Sequence, residues 1–245
     1  MRKFLFFAML MVETSAMAQI WKNYDVNKDG EVDVADITCL AEYILDPYVG
    51  FDAVDLALPS GTKWATCNVG AEHFWEPGYY LSWGETEPKT SYFWTNYKWS
   101  GDSDYKYTKY SSKEKYGIID NKMVLELDDD AAHVHMKGLW RMPTTEELNE
   151  LINNCEVVWG NFGTEMFCAK FISKINGAYI FIPASGYKYH DKTGNYNSLG
   201  YLWSASLEEL GTNNGVSEFI FWENNEAIIF QDCRYEGIPV RGVCK

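Results

Sequence analysis

The chain has 245 residues, a formal net charge of -14 and an aromatic content of 16%. A strongly acidic surface repels phosphate groups, so this charge excludes nucleic acid as an expected partner. The length accommodates a small N-terminal module followed by one globular domain of about 190 residues. The aromatic residues fit either a β-rich core or a surface on which sugars stack, and composition alone does not separate the two.

The N-terminus has the pattern of a secretory signal peptide. Arg2 and Lys3 precede an apolar run from residue 4 to residue 12, and Ala16-Met17-Ala18 has the small residues that signal peptidase recognises. We therefore predict that residues 1–18 are cleaved near Ala18 and that the protein is secreted, to the extracellular space, the cell surface or the periplasm. No other stretch is apolar over a length that spans a bilayer, so no transmembrane anchor is expected.

The segment DVNKDGEVDVAD, residues 25–36, has the spacing of a calcium-binding loop. Oxygen-bearing side chains occupy loop positions 1, 3, 5, 9 and 12, Gly30 permits the sharp turn at position 6, and the carbonyl of position 7 adds a ligand. The alternative, an acidic turn before a helix, does not explain a glycine at position 6. ADITCLAEYIL then has the apolar spacing of an amphipathic helix that ends before Pro47. The predicted Ca²⁺ ligands are Asp25, Asn27, Asp29, Glu31, Asp33 and Asp36.

DVNKDGEVDVADITCLAEYIL resembles one repeat of a dockerin, the module that docks enzymes onto cohesin scaffolds. The resemblance implies a small calcium-loop and helix segment over residues 19–48, and it makes a cohesin-like protein a candidate partner. Dockerins usually have two repeats, whereas one is found here. Val34 and Ala35 stand where dockerins of the best-known type have small hydroxyl residues for cohesin recognition.

From about residue 53 the sequence changes to short alternating segments separated by Gly, Asn and Pro. VDLALPSGTKWATCNVGA predicts two strands around a turn, GAYIFIPASG a buried strand, and EFIFWENNEAIIF a hairpin that turns at residues 223–225. Thr144 and Glu147 have the spacing of a capping box at the start of a helix, and a second short helix is predicted at about residues 128–136. The aromatic and polar stretch from about residue 85 to 120 is predicted to be an elaborated surface loop.

Several segments of this region, in this order, resemble a family of paralogous secreted proteins of gut and fibre-degrading bacteria. That family looks like a C-type-lectin-like fold of the subgroup shared with formylglycine-generating enzymes, since WRMPTTEELNEL is similar to a helix entry of that subgroup and VRGV to its last strand. The resemblance implies an α+β fold over residues 53–245, with many short antiparallel strands and two short helices. The segments are WATCNVGA, YYLSWGETEPK, LELDDDAAH, LWRMPTTEELNELINNC, FIPASGY, YLWSAS and IPVRGVC.

The catalytic motifs of related classes are not matched. Cys233 and Cys244 lack the Gly-Gly-Ser-Trp setting of formylglycine-generating enzymes, and Ser204 and Ser206 lack a nucleophile elbow. We therefore predict a non-enzymatic exported protein that displays a lectin-like surface to a glycan or protein ligand. The alternative is a dockerin-bearing hydrolase or accessory subunit in polysaccharide degradation, which needs a pair of carboxylates in a cleft. The six cysteines would lie where disulfides persist, but six allow fifteen pairings.

Ligands of C-type-lectin-like folds usually contact the C-terminal half, and here that half has aromatic and amide side chains in polar, turn-rich settings. A phenol or an indole beside amides can stack on a sugar or anchor a protein contact. Trp64, Trp140 and Trp203 lie in framework segments and are predicted to be core. If Phe221 faces the core, Trp222 should face outward, and its loss should weaken binding. The predicted ligand-binding residues are Tyr187, Tyr189, His190, Tyr196, Trp222, Asn224, Asn225 and Tyr235.

The calcium loop gives a direct test. Because each carboxylate contributes charge to one hard cation, the double substitution Asp25→Ala with Asp29→Ala should abolish Ca²⁺ binding at this loop. Calorimetry on residues 19–50 fused to a carrier measures it. Unchanged calcium binding by the double variant would move the site elsewhere.

Overall fold

The computed structural model describes residues 51–101, 106–207, 216–222 and 226–245, and for residues 216–220 and 222 it describes the backbone only. The predicted signal peptide, the six predicted calcium ligands and Cys39 lie outside the described residues. Among the described residues, no helix has the length and apolar character needed to cross a membrane.

The described chain consists mostly of short β-strands. Its two α-helices are α1 (Ala131–Met136) and α2 (Thr145–Asn154), and single turns of 3-10 helix cover Trp94–Asn96 and Leu127–Asp129. The strands are β1 (Ala53–Asp55), β2 (Lys63–Asn68), β3 (Tyr80–Leu81), β4 (Cys155–Gly160), β5 (Cys168–Ser173), β6 (Tyr179–Pro183), β7 (Tyr187–Tyr189), β8 (Lys192–Gly194), β9 (Gly200–Leu207), β10 (Val216–Trp222), β11 (Glu226–Asp232), β12 (Ile238–Pro239) and β13 (Arg241–Cys244).

The predicted α+β class, as implied for a C-type-lectin-like domain, is wrong, because the described chain is a mostly-β fold. Both helices exist near their predicted positions, but they have six and ten residues and form no layer of their own. Helix α1 ends where Lys137 takes a left-handed φ of 64°, and α2 passes directly into β4 at Cys155. The two short helices were predicted correctly, but they pack on the sheets, and the strands alone therefore set the class of the fold.

The strands form small antiparallel sheets. The three-stranded sheets have the orders β1-β2-β13, β11-β10-β9 and β4-β5-β6, and the two-stranded ones are β12-β3 and β7-β8. The predicted strand pair at residues 53–68, the strand in GAYIFIPASG and the β10–β11 hairpin are all confirmed. The C-terminal strand β13 pairs with β2, so the two ends of the described chain meet in one sheet.

Two hydrophobic cores lie on opposite faces of the same strands. Along β2, Trp64 belongs to one core and Ala65 to the other, and along β13 Val243 and Cys244 divide in the same way. Strand β9 is buried at all eight positions because it too contributes to both cores. Since neighbouring side chains of a strand point to opposite faces, a strand with both faces covered reads as continuously buried. The predicted core residues Trp64, Trp140 and Trp203 are confirmed, with no exposed surface.

The predicted surface loop of residues 85–120 has a core of its own. Tyr97, Tyr107 and Tyr116 are buried together, and Tyr110 enters the larger of the two cores beside Trp83. The hydroxyl of Tyr97 donates to the carbonyl of Trp83 at 2.8 Å. The hydroxyl of Tyr110 likewise donates to Asp129 at 2.6 Å, so both of these tyrosines bury the ring while the hydroxyl keeps a polar partner.

Glu147 ties the start of α2 to the β-sheet. The capping box is confirmed, since Thr144 and Glu147 each accept a hydrogen bond from the backbone of the other. The Glu147 carboxylate also forms a two-pronged ion pair with Arg141, at 2.6 and 2.7 Å, and accepts a hydrogen bond from Thr62 at 2.8 Å. Burial by itself raises the pKa of Glu147, but the Arg141 guanidinium and the Thr144 N–H together hold it below its usual value.

The Glu147 ion pair predicts a pH-dependent stability. Glu147→Gln should lower the free energy of unfolding by about 2–3 kcal/mol at neutral pH, since it leaves a partly buried guanidinium unpaired. Because the folded-state pKa is lowered, this contribution is present above the unfolded pKa of about 4.5 and is lost as pH falls through the folded value. Urea unfolding at pH 7 and at pH 3 measures the difference. Glu146→Gln, an exposed carboxylate on the same turn, is the control, and an equal loss in both variants would contradict the role of the ion pair.

Candidate functional site

An open cleft of about 830 Å³ lies between three loops of the domain, and we call it the aromatic cleft. Its most exposed rings are Tyr196 at 55% and Phe162 at 38% of their full surface. The lining also includes two carboxylates and one side-chain amide, and none of the lining residues in the described chain is basic. The lining residues are Phe74, Trp75, Glu76, Pro77, Phe162, Gly163, Thr164, Glu165, Met166, Tyr196 and Asn197.

The first wall, residues 74–77, is fixed from the protein interior. The side-chain amide of Asn68 donates to the carbonyl of Pro77 at 2.9 Å, and its oxygen accepts from the Nε of Arg241 at 2.8 Å. Gly78 follows with φ +71, and a Cβ there would lie 2.3 Å from the Val69 carbonyl oxygen. Only glycine allows the chain to approach the end of strand β2 this closely. The close approach and the Asn68 hydrogen bond together fix the position of residues 74–77 against the core.

The floor of the cleft is an aromatic cluster around Phe181 of β6. Phe74 stacks on Phe181 with ring centroids 4.5 Å apart, and Phe162 packs on it at 4.9 Å. Trp75 meets the edge of Phe74 at 4.8 Å and has His73 stacked on one face at 4.5 Å. Two loops distant in sequence are therefore held together by one phenylalanine of strand β6.

The wall that carries Tyr196 is held in place by the next residue, Asn197. Asn197 has a left-handed φ of 59°. Its side-chain oxygen accepts from the Phe167 N–H at 2.6 Å, and its amide nitrogen donates to the carbonyl of Glu165 at 3.3 Å. The Thr164 hydroxyl bridges the carbonyls of Asn161 and Met166 in the same loop. Asparagine tolerates this backbone conformation better than most residues, and its amide joins the two loops that carry Tyr196 and Phe162.

The cleft has an anionic character. The Glu76 carboxylate accepts hydrogen bonds from the N–H groups of Glu72 and His73, and these two bonds hold its pKa below the usual value. Glu76 is therefore ionised at neutral pH. Glu165 adds a second, exposed carboxylate to the same rim.

A second aromatic surface lies on the β7–β8 hairpin. The His190 ring has Phe93 stacked at 4.2 Å and Tyr189 stacked at 3.9 Å, with interplanar angles of 14° and 28°. Two rings this close and this nearly parallel to a third must occupy its opposite faces. We call Phe93, His190 and Tyr189 the aromatic stack. Its outer rings are 37% and 39% exposed, and Tyr235 lies 6.4 Å beyond Tyr189.

Beside Tyr235, the end of β11 brings together Asp232, Cys233 and Glu236, which we call the acid–thiol cluster. One carboxylate oxygen from each acid and the thiol sulfur all lie within 4.8 Å of one another. Burial, and then the negative charge of Asp232, raises the pKa of Glu236 to about 8. Burial, and then the two acids, raises the pKa of the Cys233 thiol to about 11. The five described cysteines, Cys67, Cys155, Cys168, Cys233 and Cys244, are free thiols.

The predicted ligand-binding residues lie in different places. Tyr189, His190 and Tyr235 lie at the aromatic stack, and Tyr196 lies in the aromatic cleft. Tyr187 packs on Tyr201 beside the core, with ring centroids 5.3 Å apart. Phe221 is fully buried, but the side chain of Trp222 is not described, and Asn224 and Asn225 lie outside the described residues.

The sequence interpretation missed most of the cleft. Phe74, Trp75 and Glu76 belong to AEHFWEPG, and Phe162 and Glu165 belong to NFGTE. Both segments place large aromatic residues beside glycine and charged residues, which is the signal that selected Tyr189 and Tyr196. Phe74, Trp75 and Glu76 lie before the C-terminal half to which the prediction was confined, whereas Phe162 and Glu165 lie within that half and were not selected.

Comparisons with known proteins leave the family open. No protein-family model matches the chain, and neither the curated proteins nor the solved structures contain a match. The resemblances to dockerins and to C-type-lectin-like proteins therefore stay predictions from sequence motifs.

Asn68 should control both stability and the position of the first cleft wall. Asn68→Ala leaves the buried Arg241 Nε and the Pro77 carbonyl without their partner, so we expect a loss of about 2–3 kcal/mol in the free energy of unfolding. Asn68→Asp is the matched variant, because it keeps an acceptor for Arg241 and removes only the donor to Pro77. Urea unfolding should show a smaller loss for Asp than for Ala. Equal losses would mean that the contact with Arg241 contributes nothing.

Proposed function

We propose that this is an exported, non-enzymatic binding protein whose aromatic cleft holds a glycan. The observation that carries the proposal is the composition of one concave surface, where Trp75, Phe162 and Tyr196 lie beside two carboxylates and an amide. Small-ligand sites are typically concave, largely apolar and provided with a few fixed polar groups. Export and the preceding calcium-binding, dockerin-like segment are supported by the sequence patterns of residues 1–48.

The chemistry of a sugar matches this lining. One face of a pyranose ring carries C–H groups that pack on a flat aromatic ring, while its hydroxyls need hydrogen-bond partners around the edge. Tyr196 is more than half exposed, and its ring is therefore accessible to a ligand. The carboxylates of Glu76 and Glu165 can accept hydrogen bonds from hydroxyl groups.

The charge of the cleft restricts the class of glycan. Glu76 is ionised, Glu165 is exposed, and the lining residues in the described chain include no basic side chain. The whole chain has a formal net charge of -14, which adds to the repulsion of anions. The ligand is therefore a neutral or amino sugar chain rather than one rich in uronic acid or sulfate.

A protein ligand is the second candidate, and the aromatic stack favours it. Phe93 and Tyr189 expose flat apolar surface on either side of His190, and exposed aromatic residues are enriched at protein contact sites. A hydrolase remains the alternative from another functional class, because Glu76 and Glu165 share the cleft. Hydrolysis needs one carboxyl group that is protonated at working pH, and the pKa of Glu76 is shifted in the opposite direction.

A glycan array followed by calorimetry tests the proposal. The full chain should bind neutral or amino oligosaccharides in preference to uronic acid polymers. Trp75→Ala and Tyr196→Ala should each weaken binding by about 2 kcal/mol, which is roughly thirtyfold. Chromatography of the bound sugar after incubation reports hydrolysis, and shortened products would replace the binding proposal with the hydrolase alternative.

Tyr189→Ala is the matched control for this experiment. It removes an exposed tyrosine ring from the aromatic stack, outside the cleft, so glycan affinity should be unchanged. Loss of binding in Tyr189→Ala with full binding in Trp75→Ala and Tyr196→Ala would move the ligand to the aromatic stack. Thermal melts of all three variants exclude loss through unfolding.

A further inference from the structure

We propose that Asp232, Cys233 and Glu236 bind a single zinc ion. The cluster supplies three ligand atoms of the kinds that Zn²⁺ accepts, namely two carboxylate oxygens and one sulfur, within 4.8 Å of one another. This proposal does not depend on the glycan site, because none of the three residues lines the aromatic cleft.

The strongest sign of a missing ligand is the Oε2 atom of Glu236. The residue is only 6% exposed, and this oxygen is buried without a hydrogen-bond partner among the residues that the structure describes. A buried carboxylate oxygen without a partner is costly, because it has lost its water and gained nothing in return. A cation between Glu236 and Asp232 would satisfy this oxygen and compensate the charge of the two carboxylates.

The local fold brings the three ligands together. Asp232 is the last residue of β11, and its carboxylate accepts a hydrogen bond from the Cys233 N–H at 2.6 Å. The chain then turns, with the Glu236 N–H donating to the Cys233 carbonyl at 3.1 Å. The side chain of Arg234, which lies within this turn, packs with its guanidinium 3.9 Å from the centre of the Tyr107 ring. Arg234, the only basic residue of the turn, therefore directs its charge toward Tyr107.

The donor set selects the metal. Calcium and magnesium prefer sites made only of oxygen, whereas a thiolate ligand favours Zn²⁺ over them. Ligand atoms of a tetrahedral zinc site lie about 3.4–3.7 Å apart, so the three side chains need to approach by roughly 1 Å on binding. Asp232 and Cys233 are half-buried, which leaves a fourth position open to water. The Tyr235 side chain interacts with the Cys233 thiol and can help to orient this ligand.

Titration with Zn²⁺ and with Co²⁺ as a spectroscopic substitute tests the site. The full chain is kept reduced and saturated with Ca²⁺, so that the predicted loop at residues 25–36 is occupied. We expect one Co²⁺ per chain at this site, with the near-ultraviolet charge-transfer absorption of a thiolate-bound ion, and displacement of the Co²⁺ by Zn²⁺. Absence of this absorption at saturating Co²⁺ would overturn the proposal.

Three variants assign the ligands. Cys233→Ser should abolish the charge-transfer absorption, and Glu236→Gln, which keeps the shape of the side chain, should weaken Zn²⁺ binding at least tenfold. Cys67→Ser is the matched control, since Cys67 is also a half-buried free thiol but lies outside the cluster, and it should leave the absorption intact. Absorption that survives Cys233→Ser, or affinity that is unchanged in Glu236→Gln, would contradict the site.

A chelator melt keeps the test independent of folding defects. Each variant is unfolded by heat with EDTA and then with excess Zn²⁺, because an ion that binds the folded state raises its melting temperature. We expect Zn²⁺ to raise the melting temperature of the wild type and of Cys67→Ser but not of Cys233→Ser. If Glu236→Gln does not fold, Asp232→Asn takes its place with the same expected loss. An equal rise in the wild type and in the cluster variants would place the zinc elsewhere.

Discussion

The buried guanidinium of Arg241 holds together the parts of the fold that shape the cleft. It has no exposed surface, and it donates to Asn68, to the Ala65 carbonyl at 2.8 Å and to the Phe181 carbonyl at 3.0 Å. These bonds join β13 and β2 to β6, which belong to different sheets. Burial lowers the pKa of Arg241 to about 10, which is still above neutral pH, so the guanidinium keeps its charge and these acceptors satisfy its N–H groups.

The cleft is a consequence of this arrangement. Asn68 passes the constraint to the Pro77 carbonyl, and Phe181 carries the rings of Phe74 and Phe162. The loop of residues 74–77 and the loop that carries Phe162 are therefore both positioned by contacts that lead to the buried Arg241 guanidinium. A binding surface made of loops needs such support, because the rings must keep their positions when the ligand is absent.

The two cores explain why the aromatic stack and the acid–thiol cluster lie at the ends of strands. Strands β9 and β13 are buried at every position, and β2 contributes to both cores, so these strands leave few side chains for a surface site. The aromatic stack lies at the end of β7, and the acid–thiol cluster lies where β11 ends. Turns and strand ends carry these side chains instead, because they lie at the edge of the packed cores.

Local patterns in the sequence determined the strands around residues 53–68, the β10–β11 hairpin, the capping box at Thr144 and the tryptophans of the core, because alternation and capping act between residues close in the chain. They did not determine the class of the fold, since whether two short helices form a layer of their own depends on how the whole domain packs. Tertiary structure alone brought Phe74 and Trp75 to Phe162 and Tyr196, about 90 to 120 residues apart, through contacts with Phe181. It alone also left the Glu236 oxygen buried without a partner, because burial is a property of the packed domain and of no single segment.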